Sequence, residues 1–323
     1  MADVTDAAFR RVIAKYGKPD VTWTEFVSAD GLCSPGRTVL KRDLEYTEAE
    51  RPIVAQLFTA HPEKMREAAQ LVAELGFDGL DINMGCPDRS IEKQGAGAAM
   101  MQNPEAARAV IRAAKAGIKD AGKDIPVSVK TRVGWNKVEL DTWVPELLAE
   151  DLAALTIHAR TRKEMSLVPA RWGHVAEVVA MRDKAGVSTL ILGNGDVKDL
   201  DDARHKAEET GADGIMLGRA VFGNPWLFTN RRSEGETFAR HEGLAFATSP
   251  ISIKEKLRVM VEHTKLFEEL LGDIKSFAIM KKHYKAYVNG FDRAKELRTR
   301  LMEEAQNAAD VEKIVEEWLD KVA

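Results

Sequence analysis

Short apolar runs suited to strands recur at a steady interval through the first two thirds of the chain. They cover residues 21–26, 53–58, 79–84, 127–131, 154–159, 189–193 and 214–217. Between them lie segments such as 62–75, 104–119 and 200–210, rich in Ala, Glu, Arg and Leu at amphipathic spacing. Strand followed by helix, repeated, is the pattern of a parallel sheet covered by helices. Seven strands are visible, and a closed eight-stranded barrel needs one more. Its natural place is just before Met1, because MADVTDAAFR reads as the loop and helix that follow a first strand. Two explanations stay open: a sequence short at its start, or a barrel whose first strand is missing or partly formed. The expected fold is α/β, a (β/α)8 TIM barrel lacking its first strand at the N-terminus, followed by a small C-terminal helical bundle.

The pattern changes near Asn230, where 231–250 is polar, Gly-containing and irregular. From residue 251 onward everything reads as helix, in four pieces at 251–271, 275–288, 291–307 and 311–322. Residues 1–240 are therefore expected to form the barrel and 251–323 the helical domain. A chain of 323 residues fits one large barrel with a small appendage. No apolar run approaches a membrane span, and the amino terminus lacks a charged stretch followed by an apolar one. The two cysteines have no partner at metal-ligand spacing and cannot form a disulfide framework. A soluble, cytoplasmic monomer without metal is expected. The formal net charge is −4, so a polyanionic partner would have to be met by a local basic patch.

Chemistry is expected at the carboxyl ends of the strands, where α/β barrels place their reactive groups. Cys86 sits there, directly after the run 79–84 and inside a glycine-rich loop. Cys33, in LCSPGR, follows no strand-like run and reads as an inert small hydrophobe. Gln56, Asn83, Lys130, Arg132, His158 and Arg160 also fall at strand ends, facing one mouth. Lys130 lies in the apolar context VSVK, and a buried ammonium calls for an anionic or polar partner. Two later loops, LGNGD (192–196) and LGRAVFGN (217–224), place glycine after a strand and before a helix-like segment. Backbone N–H groups can approach an anion there, and Arg219 adds a charged donor, which favours a phosphate-bearing cofactor.

Together these residues resemble the tRNA-dihydrouridine synthases, flavin enzymes that reduce selected uridines in tRNA. The resemblance spans nearly the whole chain. It rests on MADVTDAAFR, TEF at 24–26, QLF at 56–58, DINMGCP at 81–87, GAGAAMM at 95–101, VKTRVGW at 129–135, IHARTR at 157–162, GNGD, and MLGRAVFGNPWLF at 216–228. Family members carry a strand ending in Ala-Pro-Met before the first of these, and an aromatic residue and a glycine where this chain has Ser166 to Pro169. The resemblance implies that Gln56, Lys130, His158, Asn194, Gly195, Asp196, Gly218 and Arg219 bind FMN. Met1 and Ala2 match a contact with the isoalloxazine ring. Cys86 matches the catalytic cysteine, Asn83 and Arg132 match positions that meet the uracil, and Arg160 is grouped with them on the substrate side. NADPH is the implied reductant. Reducing a 5,6 double bond needs a hydride at carbon 6 and a proton at carbon 5. A thiol with an ordinary pKa of about 8.5 is mostly protonated at neutral pH and can supply the proton.

A base inside folded tRNA must be swung out to reach such a mouth. Residues 275–300 gather Lys281, Lys282, Lys285 and Arg293 among eight basic side chains, interleaved with His283, Tyr284 and Tyr287. This basic segment is read as a surface that follows the tRNA backbone. The alternatives are an FMN barrel acting on free pyrimidines and a non-catalytic RNA-binding relative. The loop of Cys86 is expected to bend at Gly95 and Gly97 to admit the base.

Overall fold

The structure, a computed structural model, describes residues 1–229 and 251–322. The expected boundary segment 231–250 lies outside the described residues. Contacts divide the chain into two units: Val21–Leu44 with Arg51–Arg219, and Met1–Asp20 with Glu45–Glu50 and Ala220–Ala323.

The first is a parallel α/β unit. Its seven strands are β1 (Thr22–Ser28), β2 (Ile53–Phe58), β3 (Gly79–Met84), β4 (Val127–Arg132), β5 (Ala154–His158), β6 (Leu190–Asn194) and β7 (Gly214–Met216). They pair in sequence order and every pairing is parallel. Each expected run is a strand, displaced by no more than two residues at either end. Parallel strands covered by helices are buried on both faces, and all six residues of β3 are buried.

Helix starts are written locally. Pro62 and Pro104 open the helices Pro62–Glu74 and Pro104–Asp120, where a missing N–H costs nothing. Asn103 and Asp199 accept from the N–H groups of Ala106 and Asp202 at 3.1 and 2.8 Å, capping the helices Pro104–Asp120 and Leu200–Thr210.

The second unit is helical. It holds Ala7–Tyr16, Ile253–Leu271, Met280–Tyr287, Ala294–Glu303 and Ala308–Val322. Helix Ala7–Tyr16, the expected helix of the opening segment, is capped by Asp6, which accepts from Phe9 N–H at 2.9 Å. Arg10 on it is buried and ion-paired with buried Glu50 at 2.9 Å. The core of the unit includes Phe9 stacked on His263 (ring centroids 4.8 Å apart) and set edge-on to His283.

Candidate active site

The polar strand residues form ordered rows. Strand register sets Gln56 beside Asp81 and Asp81 beside Ser128. One step further along, Asn83, Lys130 and Thr156 are neighbours, and beyond them Arg132, His158 and Asn194. Positions 81 and 83, 128, 130 and 132, and 156 and 158 alternate along their strands, so they share one face. Leu80, Ile82, Val127, Val129, Leu155 and Ile157, all buried, take the other.

Hydrogen bonds tie the first row to the cysteine. Ser128 Oγ and Gln56 Nε2 donate to the two carboxylate oxygens of Asp81 at 2.5 and 2.6 Å. Asn83 Nδ2 donates to Gln56 Oε1 at 3.3 Å. Asn83 Oδ1 in turn accepts from the backbone N–H groups of Gly85 (3.1 Å) and Cys86 (2.9 Å), which bends the chain sharply after β3. The Cys86 side chain packs on Phe58, Ile91 and Ala96. Its carbonyl accepts from Ala98 N–H at 2.9 Å, where Gly97 crosses with φ +59°. A Cβ on Gly97 would lie 2.8 Å from Cys86 O, so glycine is required for this approach. Burial pushes the Cys86 thiol above its ordinary pKa. It is a thiol, not a thiolate, at neutral pH. Burial raises Cys33 further, to about 11.

The cations differ in how they are held. Lys130 Nζ donates to Asn194 Oδ1 at 3.1 Å, and Asn194 Nδ2 to Met216 O at 2.7 Å. Burial, with the charge of Arg132, lowers Lys130 to about 8. Buried Arg132 donates to Gly85 O (2.7 Å), Met165 O (2.9 Å) and Thr161 O (3.2 Å). It therefore ties the Cys86 loop to the loop after β5. Arg160 is turned inward, donating to Val168 O at 2.6 Å, to the carboxylate of Asp196 and to His158 Nε2 at 3.0 Å. An arginine has no lone pair to offer, so His158 Nε2 is the acceptor and its proton sits on Nδ1. Burial and the charges of Lys130, Arg132 and Arg160 hold His158 down at about 2, and the ring is neutral.

Asp196 also accepts from Ala170 N–H at 2.9 Å and from exposed Arg219 at 2.6 Å. Gly195 runs between them at φ +126°, with Trp172 Nε1 donating to its carbonyl at 2.9 Å. Gly218 follows β7 in half-buried backbone. Arg162 lies over the Trp135 ring at 4.5 Å and pairs with Glu92, beyond Cys86.

Gln56, Asn83, Cys86, Lys130, Arg132, His158, Asn194, Gly195 and Asp196 thus come together through register and hydrogen bonds. Met1, Ala2, Lys281, Lys282, Lys285 and Arg293 belong to the helical unit. Met1 is bonded to Thr5 through its ammonium at 2.7 Å. Lys281 donates to Met302 O at 2.7 Å, Lys282 pairs with Asp3 at 3.6 Å, Arg293 pairs with Glu296, and Lys285 is exposed. The expected interleaving of aromatics with these cations is corrected: His283, Tyr284 and Tyr287 are buried. Positions 280, 283, 284 and 287 are one helical face, and that face is core.

Two features suit this site to a polar, anionic cofactor. Lys130, a partly desolvated cation, is hydrogen-bonded only to a neutral amide among the described residues, and an anionic or carbonyl-rich group would compensate it. Beside it in register, buried Thr156 Oγ1 has no partner among the described residues. The sequence reading passed over Asp81, Ser128 and Thr156, although each sits two residues before a named strand-end residue on the same face.

A parallel βα sheet that collects its polar and reactive side chains at the carboxyl ends of the strands defines a barrel-type enzyme. The family model described as dihydrouridine synthase (Dus) matches residues 1–323, and the chain belongs to that family. It is 39% identical over 305 residues to the probable tRNA-dihydrouridine synthase 2 of Bacillus subtilis (strain 168), covering 94% of this chain and 87% of that one. To the probable tRNA-dihydrouridine synthase of Staphylococcus aureus (strain COL) it is 36% identical over 321 residues, covering 98% and 91%. A solved 2-naphthoyl-CoA reductase complex superposes with a TM-score of 0.51 at 12% identity, over 71% of this chain and 46% of that one, a likeness of fold alone.

Proposed function

We propose that this protein reduces the 5,6 double bond of specific uridines in tRNA to dihydrouridine, with FMN as its cofactor and NADPH as the reductant. The observation that carries the reading is Cys86, a thiol kept protonated by burial, beside the polar strand ends Gln56, Asn83 and Lys130, in a chain of this family. When bound and reduced, FMN would supply the hydride. Lys130, His158, Asn194, Gln56 and the glycine loops at 193–196 and 217–219 are the residues that would hold it, with Arg219 and the loop N–H groups toward phosphate. Lys130 and the Nδ1–H of neutral His158 offer donors, as the polar edge of a flavin requires. The Cys86 thiol delivers its proton to carbon 5 of the uracil, and burial against Phe58, Ile91 and Ala96 keeps water from competing for that proton. Arg132, which also braces the Cys86 loop, is assigned to the uracil carbonyls, and the exposed cations of the helical unit, Lys282 and Lys285 among them, to tRNA phosphates.

The test is direct. The purified protein is expected to show a flavin spectrum and, with NADPH, to add two hydrogens to uridines of unmodified tRNA, detected by nucleoside mass spectrometry. Equal reduction of free uridine would favour a reductase of small pyrimidines. A protein that stays colourless after reconstitution with FMN would refute the reductase reading.

A further inference from the structure

Asp81 lies wholly buried in the middle of β3, and no role given so far uses it. Its position is costly, because a buried carboxylate must be compensated. The compensation comes from neighbours on both sides, Ser128 on β4 and Gln56 on β2. Lys130, one row further along β4, supplies the nearby positive charge.

An ionised carboxylate only accepts hydrogen bonds, whereas Gln and Asn side chains can present either end. With Asp81 as the fixed end, Gln56 must turn its NH2 toward it at 2.6 Å and its oxygen toward Asn83. Asn83 must then donate through Nδ2 and keep Oδ1 for the N–H groups of Gly85 and Cys86. All the donors point toward Asp81. Reversing either amide would set N–H against N–H at a buried position, a cost about as large as losing the whole linkage.

We infer that Asp81 is a positioning residue: its carboxylate fixes the orientation of the Gln56 and Asn83 amides and through them holds the backbone of Cys86 in place. This builds on the reading of Cys86 as the reacting thiol. The linkage is built of protein groups alone, but Gln56 and Asn83 are also the residues assigned above to FMN and the uracil, so labelling is compared at equal flavin content.

The two cysteines supply the assay. Peptide-resolved iodoacetamide labelling of the full chain, without tRNA or reductant, reports Cys86 and Cys33 separately. Cys33 stands apart from the linkage, with its thiol toward Lys64 O at 3.5 Å. Asp81→Leu is expected to raise Cys86 labelling about tenfold, the equivalent of one net hydrogen bond or slightly more, and to leave Cys33 unchanged. Asp81→Asn, which still offers an oxygen to Gln56, is expected to return Cys86 to within about twofold of wild type. Gln56→Met should reproduce the rise, and the Asp81→Leu/Gln56→Met pair should not exceed either single change, as for residues acting through one another.

Unchanged Cys86 labelling in Asp81→Leu overturns the inference. So does an equal rise at both cysteines that Asp81→Asn fails to reverse, since that reports general loosening. Additive single effects overturn it too. Should Asp81→Leu not fold, Gln56→Met decides alone, and wild-type labelling there is fatal. Failure to reduce tRNA would count against the proposed function and leave these labelling outcomes standing.

Discussion

Asp81 carries a measurable cost in stability, and its pH dependence can be worked out. Burial raises its pKa from the ordinary 3.8 to about 6, against the opposing hydrogen bonds of Ser128 and Gln56. The folded chain therefore holds this proton more tightly than the unfolded chain does. Stability from the group is fully present below pH 3.8 and is lost as pH rises through about 6. At roughly 1.4 kcal/mol per pH unit, the loss by neutral pH comes to about 3 kcal/mol. Asp81→Asn removes the titration. The hydrogen bonds of Ser128 and Gln56 are already contained in that shift, and asparagine can keep both neighbours, its oxygen accepting from Gln56 and its NH2 donating to Ser128 Oγ. The variant should be about 3 kcal/mol more stable than wild type near pH 7.5, with little advantage near pH 4. Urea unfolding midpoints of both proteins across that range test this. Parallel stability curves would refute the buried, proton-binding Asp81.

Other outcomes follow from named contacts. Cys86→Ala should keep its flavin and lose most turnover, about a hundredfold or more, as removal of a general acid does; single-turnover reduction of tRNA measures it. Because the Cys86 thiol is raised, wild-type turnover should hold through neutral pH and fall only above the ordinary thiol range; a rate that rises there would contradict a proton-donating thiol. In the helical unit, Arg10→Met strands buried Glu50 and should cost about 3–5 kcal/mol, while Arg10→Met with Glu50→Leu should recover most of it, read by chemical denaturation. Burial holds His283 down at about 3, and His263 is lowered as well. The stability these neutral rings contribute is fully present above pH 6.5 and is lost as pH falls from there toward about 3, the folded value of His283. His283→Phe should move the acid unfolding midpoint to lower pH, and an unmoved midpoint would show that the ring already protonates in the fold.

The sheet was legible because its signals are local: short apolar runs stopped by Gly, Pro or charge give β2 and β3 to the residue. Cys86 and the strand-end residues were legible for the same reason, since the end of a strand names its own face. Asp81 was hidden inside LDIN, where a single acid in a strand carries no sign of the glutamine 25 positions earlier that binds it. The surroundings of Arg160 were hidden in a similar way: its partners are Val168 O, His158 and Asp196, and only the fold shows that its guanidinium points inward. The buried face 280, 283, 284 and 287 could have been read, because its helical spacing is that of a core stripe. Lys281, Lys282 and Lys285, set between those positions, mask the stripe in the sequence.

Arg132 joins three carbonyls from two loops, Gly85 O beside the cysteine and Thr161 O and Met165 O after β5. Those loops are mechanically one part. Beyond Met165, at φ +51°, stands Leu167, 85% exposed, in the same loop. Sequence drift there is accordingly not free: a changed loop pulls on the same guanidinium that steadies Gly85. Variation that looks like tuning of an outer rim would be inherited, one bond later, as a change in where the thiol stands.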